Sequence, residues 1–216
     1  MKTKLVILDW AGTAVDYGCF APVKAFDRAF CACGVEATVE EIRKPMGLLK
    51  RDHIRTMLQM PRLRDQWVKQ RGKEPDEGSV EEVYAIFEKS LMESLADYAS
   101  PKPDTLEAVA RLREMGLAIG STTGYTDAMM EVVTKRAAQQ GYAPDAWFSP
   151  NAVGGLGRPY PYMIYENMRK FCIASVDEVI KVGDTVSDIR EGKQADPPPG
   201  RSRPCPAQSE GTALMD

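Results

Sequence analysis

The sequence predicts an α/β fold in which both ends of the chain build one parallel sheet and an all-helical segment is inserted between them. Short apolar runs at residues 5–8, 117–123 and 178–183 have the character of buried parallel strands. Segments with a 3.6-residue apolar repeat predict helices between these runs. Since strands and helices alternate in the later part of the chain, we expect helices on both faces of the sheet.

A change of character along the chain predicts the domain organisation. The part after the first strand contains helical patterns and no convincing strand, until a Ser-Pro-Lys-Pro stretch at residues 100–103. We therefore expect an α/β catalytic core from residues 1–19 and 99–195, and a helical cap from residues 20–98. Residues 196–216 are rich in Pro, Gly and Ser without apolar periodicity, so we expect them to be disordered.

Local signals predict where the individual elements begin and end. In the cap, the first predicted helix is Ala21–Cys33, and a short second helix is capped by Thr38 and Glu41 and stopped by Pro45. The third is Gly47–Met60, which Pro61 terminates. A longer fourth helix is capped by Ser79 and Glu82. In the core, helices are predicted near residues 106–115, 126–140 and 159–171, with a short strand at 145–149.

Composition and charge restrict the possible partners. The chain has 216 residues, 44% of them hydrophobic, with a net charge of −3 and a pI of about 5.4. Nothing in this balance favours a nucleic-acid or membrane partner, and no apolar run approaches the roughly 20 residues that a bilayer requires. Asp9 interrupts the N-terminal apolar run too early for a signal peptide. The five cysteines are scattered, which argues against a zinc site and favours reduced thiols in a cytoplasmic protein.

A carboxylate ends the first predicted strand. The run Leu5–Leu8 stops at Asp9, and Gly12 and Thr13 open a turn after it. Open α/β sheets place their chemistry at the carboxyl ends of parallel strands. A carboxylate beside a glycine turn can bind a metal or attack an electrophile. Because aspartate also starts turns, a purely structural role explains this segment alone equally well.

Two later segments offer groups for an anionic ligand at the same sheet edge. Thr122, Thr123 and Gly124 end the second predicted strand, where hydroxyl and N–H groups can hold phosphate oxygens. Arg158 is a fixed cation suited to bidentate contacts with an oxyanion. Taken singly, the first segment is more readily explained as a plain exit from a strand, and Arg158 as a surface charge.

A third segment offers further carboxylates. Asp184 and Asp188 follow the last predicted strand four residues apart, and they share a face if a helix begins there. Hard oxygen ligands of this kind suit Mg²⁺, which takes one or two carboxylates together with water and substrate oxygens. Alone, Asp184 is equally interpreted as a helix N-cap.

Together these elements have the order and spacing of the haloacid dehalogenase superfamily. The segments ILDWAGTAVDYGCFAP, RKPMGLLKRDHIR, GSTTGYT, GRPYP and KVGDTVSD resemble its phosphonoacetaldehyde hydrolases (phosphonatases), from about residue 3 to residue 193. The most specific part is the cap segment Met46–Lys50, which related phosphatases lack. The resemblance implies a Rossmann-like core with an inserted helical cap, and hydrolysis of phosphonoacetaldehyde to acetaldehyde and phosphate in phosphonate degradation.

The resemblance also implies roles for residues of this chain. Asp9 would be the nucleophile, and Lys50 would form a Schiff base with the aldehyde. Mg²⁺ would be held by the carboxylates of Asp9 and Asp184 and by the backbone carbonyl of Ala11. Asp188 would lie behind these ligands, and the substrate-binding residues would be Thr123, Gly124, Arg158, His53, Met46, Cys19 and Tyr125.

Ala11 supports this assignment on chemical grounds. Most phosphatases of the superfamily have a second aspartate two residues after the nucleophile, which protonates an alkoxide leaving group. Here that residue is Ala11. A carbon leaving group needs an electron sink instead, and an iminium formed by Lys50 supplies one. The missing acid and the cap lysine therefore belong to one change in chemistry.

Lys50 must be neutral to attack an aldehyde, so we expect burial or neighbouring cations to lower its pKa. Lys44, Arg51 and Arg55 are the cations close to it in sequence. Without the flanking match, Lys50 would be interpreted as a solvated lysine on a helix. His53, the only histidine, lies three residues further on, and relay of protons or a structural role explain it equally well.

The C-terminal part of the sequence departs from the family pattern. Members continue past the GDTVSD helix with another core strand and helices, where this chain has the proline-rich tail. We expect part of the core to be missing or replaced, with a sheet edge and apolar helix faces exposed, and a reading-frame slip is one hypothesis for its origin.

The sequence allows two alternative functions and predicts a second copy of the chain as a partner. The chain is alternatively a phosphate-ester hydrolase or mutase of the same superfamily, against which Ala11 argues, or an inactive truncated chain that serves only as a binding or dimerising module. The family usually pairs through the cap. We therefore expect a homodimer, for which the stripe from Val80 to Leu95 is a possible interface and equally a part of the cap core.

Overall fold

A small parallel sheet aligns the ends of its strands at a single edge. The computed structural model describes residues 2–16 and 19–196, and within them the strand order is β2-β1-β3. The strands are β1 (Leu5–Leu8), β2 (Ala118–Ser121) and β3 (Val179–Val182). Leu8 pairs with Ser121 on one side and Val182 on the other, so the three strands end level with one another. The residues that follow them are therefore neighbours.

Nine α-helices surround this sheet in the described ranges, and none of them combines the length and apolar character needed to span a bilayer. Five lie in the inserted segment: α1 (Phe20–Ala32), α2 (Val39–Arg43), α3 (Lys50–Leu58), α4 (Pro61–Arg71) and α5 (Glu77–Ser94). The other four alternate with the strands: α6 (Thr105–Glu114), α7 (Asp127–Gln139), α8 (Tyr162–Lys170) and α9 (Val186–Ala195). Short 3₁₀ turns occupy Leu95–Tyr98, Pro150–Val153 and Val176–Glu178.

Helix α5 is the centre of the cap, by which we mean residues 20–98. It packs against α1 and α3, and Phe87 stacks on Phe26 with ring centroids 4.2 Å apart. Its apolar residues are buried in this packing: Val80, Val83, Tyr84, Phe87 and Leu91. The stripe from Val80 to Leu95 therefore serves as cap core rather than as an open interface, and the expected homodimer stays a prediction that needs a different surface.

The apolar core is continuous between the sheet and the cap. One buried cluster extends from Val6 and Leu8 in β1 through Trp10 to Phe26 and Phe30 of α1, and onward to α7. A second, smaller cluster lies on the other face of β1, around Leu5, Ile7 and Ile164. The division into core and cap domains, with the boundaries given above, remains a prediction.

Two predicted helix boundaries in the cap are wrong. Pro61 begins α4 rather than ending the preceding helix, because proline lacks the N–H that a first helical position leaves unpaired anyway. The N-cap of α5 is Asp76, not Ser79: the Asp76 side chain accepts from the backbone N–H of Ser79, and Ser79 Oγ accepts from that of Asp76. The capping box predicted at Thr38 and Glu41 is confirmed.

Two other predicted elements are shorter than expected. Helix α3 begins at Lys50, because Gly47 has a φ of +90° and holds residues 46–49 in a turn. The strand predicted at residues 145–149 is reduced to a single bridge between Phe148 and Thr122. Both places are where the chain turns toward the sheet edge that carries the polar groups.

Strand β3 forms an open border of the sheet in the described residues. Ile180 and Val182 of β3 are 47% and 39% exposed, and Val186 and Ile189 of α9 are 66% and 53% exposed. The exposure expected from the departure in the C-terminal sequence is thus present. The predicted disorder of residues 196–216 falls almost wholly on residues 197–216, outside the described residues.

The turn that precedes α3 rests directly on the core. A Cβ atom at Gly47 would lie 2.5 Å from Thr185 Oγ1 and 2.9 Å from Ser187 Cβ. On the other side of the turn, a Cβ atom at Gly157 would lie 2.9 Å from Leu49 Cδ2. Only a glycine allows the cap to approach the start of α9 this closely.

We predict that Gly47→Ala loosens this contact. The variant combines a left-handed φ with a collision, whereas Gly72→Ala has φ +68° and no atom within 4 Å of the added Cβ, so it carries the backbone strain alone. Gly72→Ala should lose about 1–2 kcal/mol of unfolding free energy from the left-handed backbone, and Gly47→Ala should lose more because of the collision. Only Gly47→Ala should also speed hydrogen exchange at the amides of residues 185–188. Equal exchange in the two variants would contradict the proposed close approach.

Candidate active site

The ends of the three strands and the cap turn enclose one small cavity. Asp9 follows β1, Thr122 and Thr123 follow β2, and Asp184 follows β3 after one residue. The cavity has a volume of about 30 Å³, close to the space of a single water molecule. Its lining combines core and cap: Asp9, Ala11, Cys19, Pro22, Met46, Gly47, Lys50, Thr123, Gly124, Tyr125, Arg158 and Thr185.

Asp9 and Arg158 form a buried ion pair at the floor of this cavity. Arg158 Nη2 donates to Asp9 Oδ1 over 2.6 Å, and both side chains are almost fully buried. Burial raises the pKa of Asp9, while Arg158 pulls it back toward the ionised form. Arg158 stays charged, because the carboxylates of Asp9, Glu191 and Asp188 raise its pKa despite the burial. Arg158 is thus an interior cation rather than a surface charge.

The charge of Arg158 is shared with residues that sequence analysis did not identify. Arg158 Nη1 lies 3.1 Å from Asp188 Oδ1, and its Nε donates to Glu191 Oε2 over 3.1 Å. Lys181 Nζ contacts the same Asp188 oxygen at 2.7 Å. Arg158 and Lys181 lower the pKa of Asp188 despite its burial. The available sequence signals were weak: Glu191 lies three residues after Asp188, and Lys181 points inward from an exposed strand.

Asp184 and Asp188 converge on Asp9 without sharing a helix face. Helix α9 begins at Val186, so Asp184 lies in the turn before it and Asp188 in its first turn. One oxygen of each of the three carboxylates lies within 4.8 Å of the others. The expectation of a common helical face is therefore wrong, although the convergence itself is present.

The donor set at this point fits a hard divalent cation. Both oxygens of Asp188 are engaged, Oδ1 by Lys181 and Oδ2 by the Thr185 hydroxyl. The carboxylates of Asp9 and Asp184 remain as possible ligands. The Ala11 carbonyl lies close to Asp184, because the Cys19 thiol is 3.1 Å from this carbonyl and 3.8 Å from Asp184 Oδ2. Oxygen donors of this kind suit Mg²⁺. This geometry is compatible with the predicted ligands, with Asp188 behind them.

Gly12 keeps this donor set open. Its φ is +91°, and a Cβ atom there would collide with the Asp184 carboxylate and with Cys19 Sγ at 2.6 Å. Thr13 Oγ1 donates to Asp184 Oδ1 over 2.9 Å. The glycine turn seen in the sequence therefore positions Asp184 as well as Asp9.

Lys50 enters the cavity from the cap. It is the first residue of α3, it is only 8% exposed, and its Nζ lies 5.3 Å from the centre of the Tyr125 ring. Burial lowers the pKa of Lys50 to about 8, with a further contribution from Arg158, whereas Cys19 and Asp9 oppose the change. Arg51 and Arg55 instead pair with Glu81 and Glu77 on α5. The cation that acts on Lys50 is thus distant in sequence.

His53 lies outside the cavity lining. It is fully buried, its Nε2 donates to the carbonyl of Ile42 over 2.8 Å, and its ring stacks on Phe26 at 3.9 Å. Burial, together with Lys50, lowers its pKa to about 3. His53 is therefore neutral around pH 7 and has a structural partner, while a role in proton relay stays a prediction.

The remaining predicted residues line the cavity. Thr123 Oγ1 accepts from the backbone N–H of Tyr125 over 3.0 Å, and a Cβ atom at Gly124 would lie 3.6 Å from the Leu48 carbonyl. Burial raises the pKa of Cys19 to about 12, so its thiol stays protonated. Met46 and Tyr125 complete the apolar side. Their roles toward a substrate remain predictions.

Comparison with known proteins agrees with this geometry. Residues 3–196 match the family model of haloacid dehalogenase-like hydrolases. The phosphonoacetaldehyde hydrolase of Lysinibacillus sphaericus is 55% identical over 195 residues, which cover 90% of this chain and 72% of the relative. That of Bacillus cereus is 52% identical, with 90% and 74% covered.

A solved structure supports the same assignment. The phosphonoacetaldehyde hydrolase-like protein of Oleispira antarctica superposes with a TM-score of 0.86 at 34% identity, covering 90% of this chain and 70% of the other. The match to the family model, the two relatives and this solved structure show that the chain belongs to the haloacid dehalogenase-like hydrolases, in the phosphonoacetaldehyde hydrolase family.

Proposed function

We propose that this chain hydrolyses the carbon–phosphorus bond of phosphonoacetaldehyde, using a Schiff base on Lys50 and an aspartyl-phosphate on Asp9. The observation that carries the proposal is that a buried lysine of lowered pKa and a buried aspartate line the same small cavity. The names of the relatives supply the substrate. Phosphoryl transfer alone would need the aspartate but not the lysine.

The first step uses Lys50. Its neutral amine adds to the aldehyde carbon and expels water, which gives an imine whose protonated form is an electron sink. The partial neutrality of Lys50 near pH 8 makes this addition feasible, and the enclosed cavity protects the imine from stray water. Tyr125 lies against the same nitrogen and supports it from one side.

The second step uses Asp9. Its carboxylate attacks phosphorus as the carbon–phosphorus bond breaks, and the bonding electrons move into the iminium to give an enamine. One water hydrolyses the aspartyl-phosphate to phosphate. The enamine is then protonated at carbon, and water returned to the imine releases acetaldehyde and Lys50. The sum is one substrate and one water giving acetaldehyde and phosphate.

Arg158, Thr123 and Gly124, which line the cavity, bind the phosphonate group in this proposal. Arg158 Nη2 can transfer from Asp9 to a phosphonate oxygen without moving far, since it already faces the nucleophile. Asp9, Asp184 and the Ala11 carbonyl would hold Mg²⁺, which when bound supplies positive charge against the substrate oxygens. Asp188 keeps Arg158 in place from behind.

Substrate entry requires the cap to separate from the core. The cavity accommodates about one water molecule, whereas the substrate has several non-hydrogen atoms. Lys50 belongs to the cap and Asp9 to the core, so closure brings the two reactive groups together only after the substrate has bound.

Borohydride trapping tests this mechanism. We expect that protein incubated with phosphonoacetaldehyde and Mg²⁺, then reduced, carries an adduct on Lys50 that mass spectrometry locates. Lys50→Arg should give no adduct and lose at least about 10³-fold in turnover, because a guanidinium cannot form an imine at neutral pH.

The matched control is Lys44→Arg. Lys44 is a solvent-exposed lysine of the same cap segment, so this variant should keep both the adduct on Lys50 and the turnover. No adduct from folded wild-type protein, combined with hydrolysis of ordinary phosphate esters, would support a phosphatase instead. Inactivity toward both substrate classes would support a chain that only binds or dimerises.

The dependence of kcat/KM on pH should follow Lys50. With a pKa of about 8, the neutral amine increases about tenfold per pH unit below this value. We therefore expect kcat/KM to rise up to about pH 8 and then level off, in a profile measured with phosphonoacetaldehyde. Because the pKa of His53 is about 3, no further inflection should occur between about pH 6 and 7. An inflection there that disappears in His53→Asn would assign the titration to His53 instead.

A further inference from the structure

Glu191 is a buried carboxylate that the proposed mechanism does not yet use. It lies in α9 and is fully buried. Its Oε2 accepts from Arg158 Nε and from Thr122 Oγ1, each over 3.1 Å. Its Oε1 has no hydrogen-bond partner among the described residues. A carboxylate in such a place is costly to bury, which calls for a reason for its presence.

The hydrogen bonds of Glu191 have a defined direction. Burial raises the pKa of Glu191, whereas the neighbouring cations Arg158 and Lys181 act in the opposite direction. In its ionised form Glu191 can only accept, so the single hydroxyl proton of Thr122 is donated to it. The oxygen of that hydroxyl then accepts from Arg158 Nη2, which lies 2.9 Å away. Glu191 therefore fixes Arg158 twice, once directly at Nε and once through Thr122 at Nη2.

Each nitrogen of the guanidinium faces a different carboxylate. Nε faces Glu191, Nη1 faces Asp188, and Nη2 faces Asp9 at the cavity. Because the guanidinium is planar and rigid, holding Nε and Nη1 from behind determines where Nη2 points. Nη2 is the nitrogen that contacts the nucleophile, so its direction matters for the reaction.

The charge of Glu191 also limits how strongly Arg158 holds Asp9. The cluster contains two cations, Arg158 and Lys181, with Glu191 and two further carboxylates, Asp9 and Asp188. An ionised Glu191 repels the like charge of Asp9 and offsets part of the positive potential that Arg158 and Lys181 produce there. Without the charge of Glu191, the Asp9 carboxylate would be more strongly stabilised and therefore a weaker nucleophile.

We propose that Glu191 is a positioning residue that directs Arg158 toward the phosphonate oxygens and offsets part of the positive charge of Arg158 at Asp9. The expected effect on kcat rests on the proposed function. It concerns the charge of Glu191 as well as its volume, which separates it from a packing role.

Two substitutions distinguish charge from volume. Glu191→Gln keeps the size and removes the charge, whereas Glu191→Asp keeps the charge and leaves a small cavity. We expect Glu191→Gln to lower kcat for phosphonoacetaldehyde by about tenfold or more with no rise in KM, and Glu191→Asp to retain several-fold more kcat than Glu191→Gln. A packing role predicts the reverse order, and that order would overturn the proposal.

Binding of inorganic phosphate gives a readout that does not need turnover. By titration calorimetry with Mg²⁺ present, Glu191→Gln should bind phosphate about threefold or more tightly than wild type, since the site has lost a negative charge. Unchanged or weaker binding would contradict the inference. If wild-type protein binds phosphate but does not turn over phosphonoacetaldehyde, the proposed function fails, while this arm still tests Glu191.

Three further variants separate the proposed role from a loss of folding. Tyr165→Phe removes a hydrogen bond from α8 to the Ala195 carbonyl at the end of α9, and it should leave kcat within about twofold. If Glu191→Gln does not fold, Thr122→Val breaks the same link from its other end. It should lower kcat while Thr122→Ser restores it, and wild-type kcat in Thr122→Val would overturn the proposal.

Discussion

A single buried arginine organises the chemistry of this protein. Arg158 lies where β1, β2 and α9 meet, and its charge can remain in the interior only because Asp9, Asp188 and Glu191 surround it. These three carboxylates come from two separate parts of the chain. Folding of the core therefore has to bring Asp9, the start of α9 and the loop before α8 to one point. The contacts of Arg158 with these three carboxylates therefore serve both the geometry of the site and the stability of the fold.

Desolvation has opposite consequences for the two proposed reactive groups. Burial lowers the pKa of Lys50 toward the neutral amine that attacks a carbonyl, and it raises the pKa of Asp9, which Arg158 keeps within reach of ionisation. Desolvation in this cavity thus favours the uncharged form of both groups, and Arg158 favours the ionised carboxylate of Asp9. The close approach at Gly47 makes this enclosure possible, since a larger residue there would separate the two.

The scaffold around the site is uneven. Leu8 and Trp10, the neighbours of Asp9, share one continuous apolar cluster with the cap. In contrast, α9, which carries Asp188 and Glu191, presents exposed Val186 and Ile189 beside the open border of β3. The buried ion pairs of Lys181 and Arg158 therefore provide much of the attachment of α9 to the sheet. The carboxylates of Asp188 and Glu191 therefore both position Arg158 and anchor α9.

The sequence by itself determined the fold class and the polar residues that follow each strand. It also identified four residues as candidates for the site: Asp9, Lys50, Arg158 and Asp184. Asp9 follows from a local pattern, an apolar run that stops at a carboxylate before a glycine turn. Lys50 was identified through the family resemblance of its flanking segment, with the missing acid at Ala11 in support. Local patterns failed where two signals competed, as at Pro61, which can end one helix or begin the next, and at Ser79, whose partner Asp76 precedes it. Only the tertiary structure decided that Arg158 is interior, that Glu191 and Lys181 share its charge, and that Arg158 rather than Arg51 or Arg55 acts on Lys50. The physical reason is that pairing and desolvation depend on distances across the fold, which spacing along the chain does not specify.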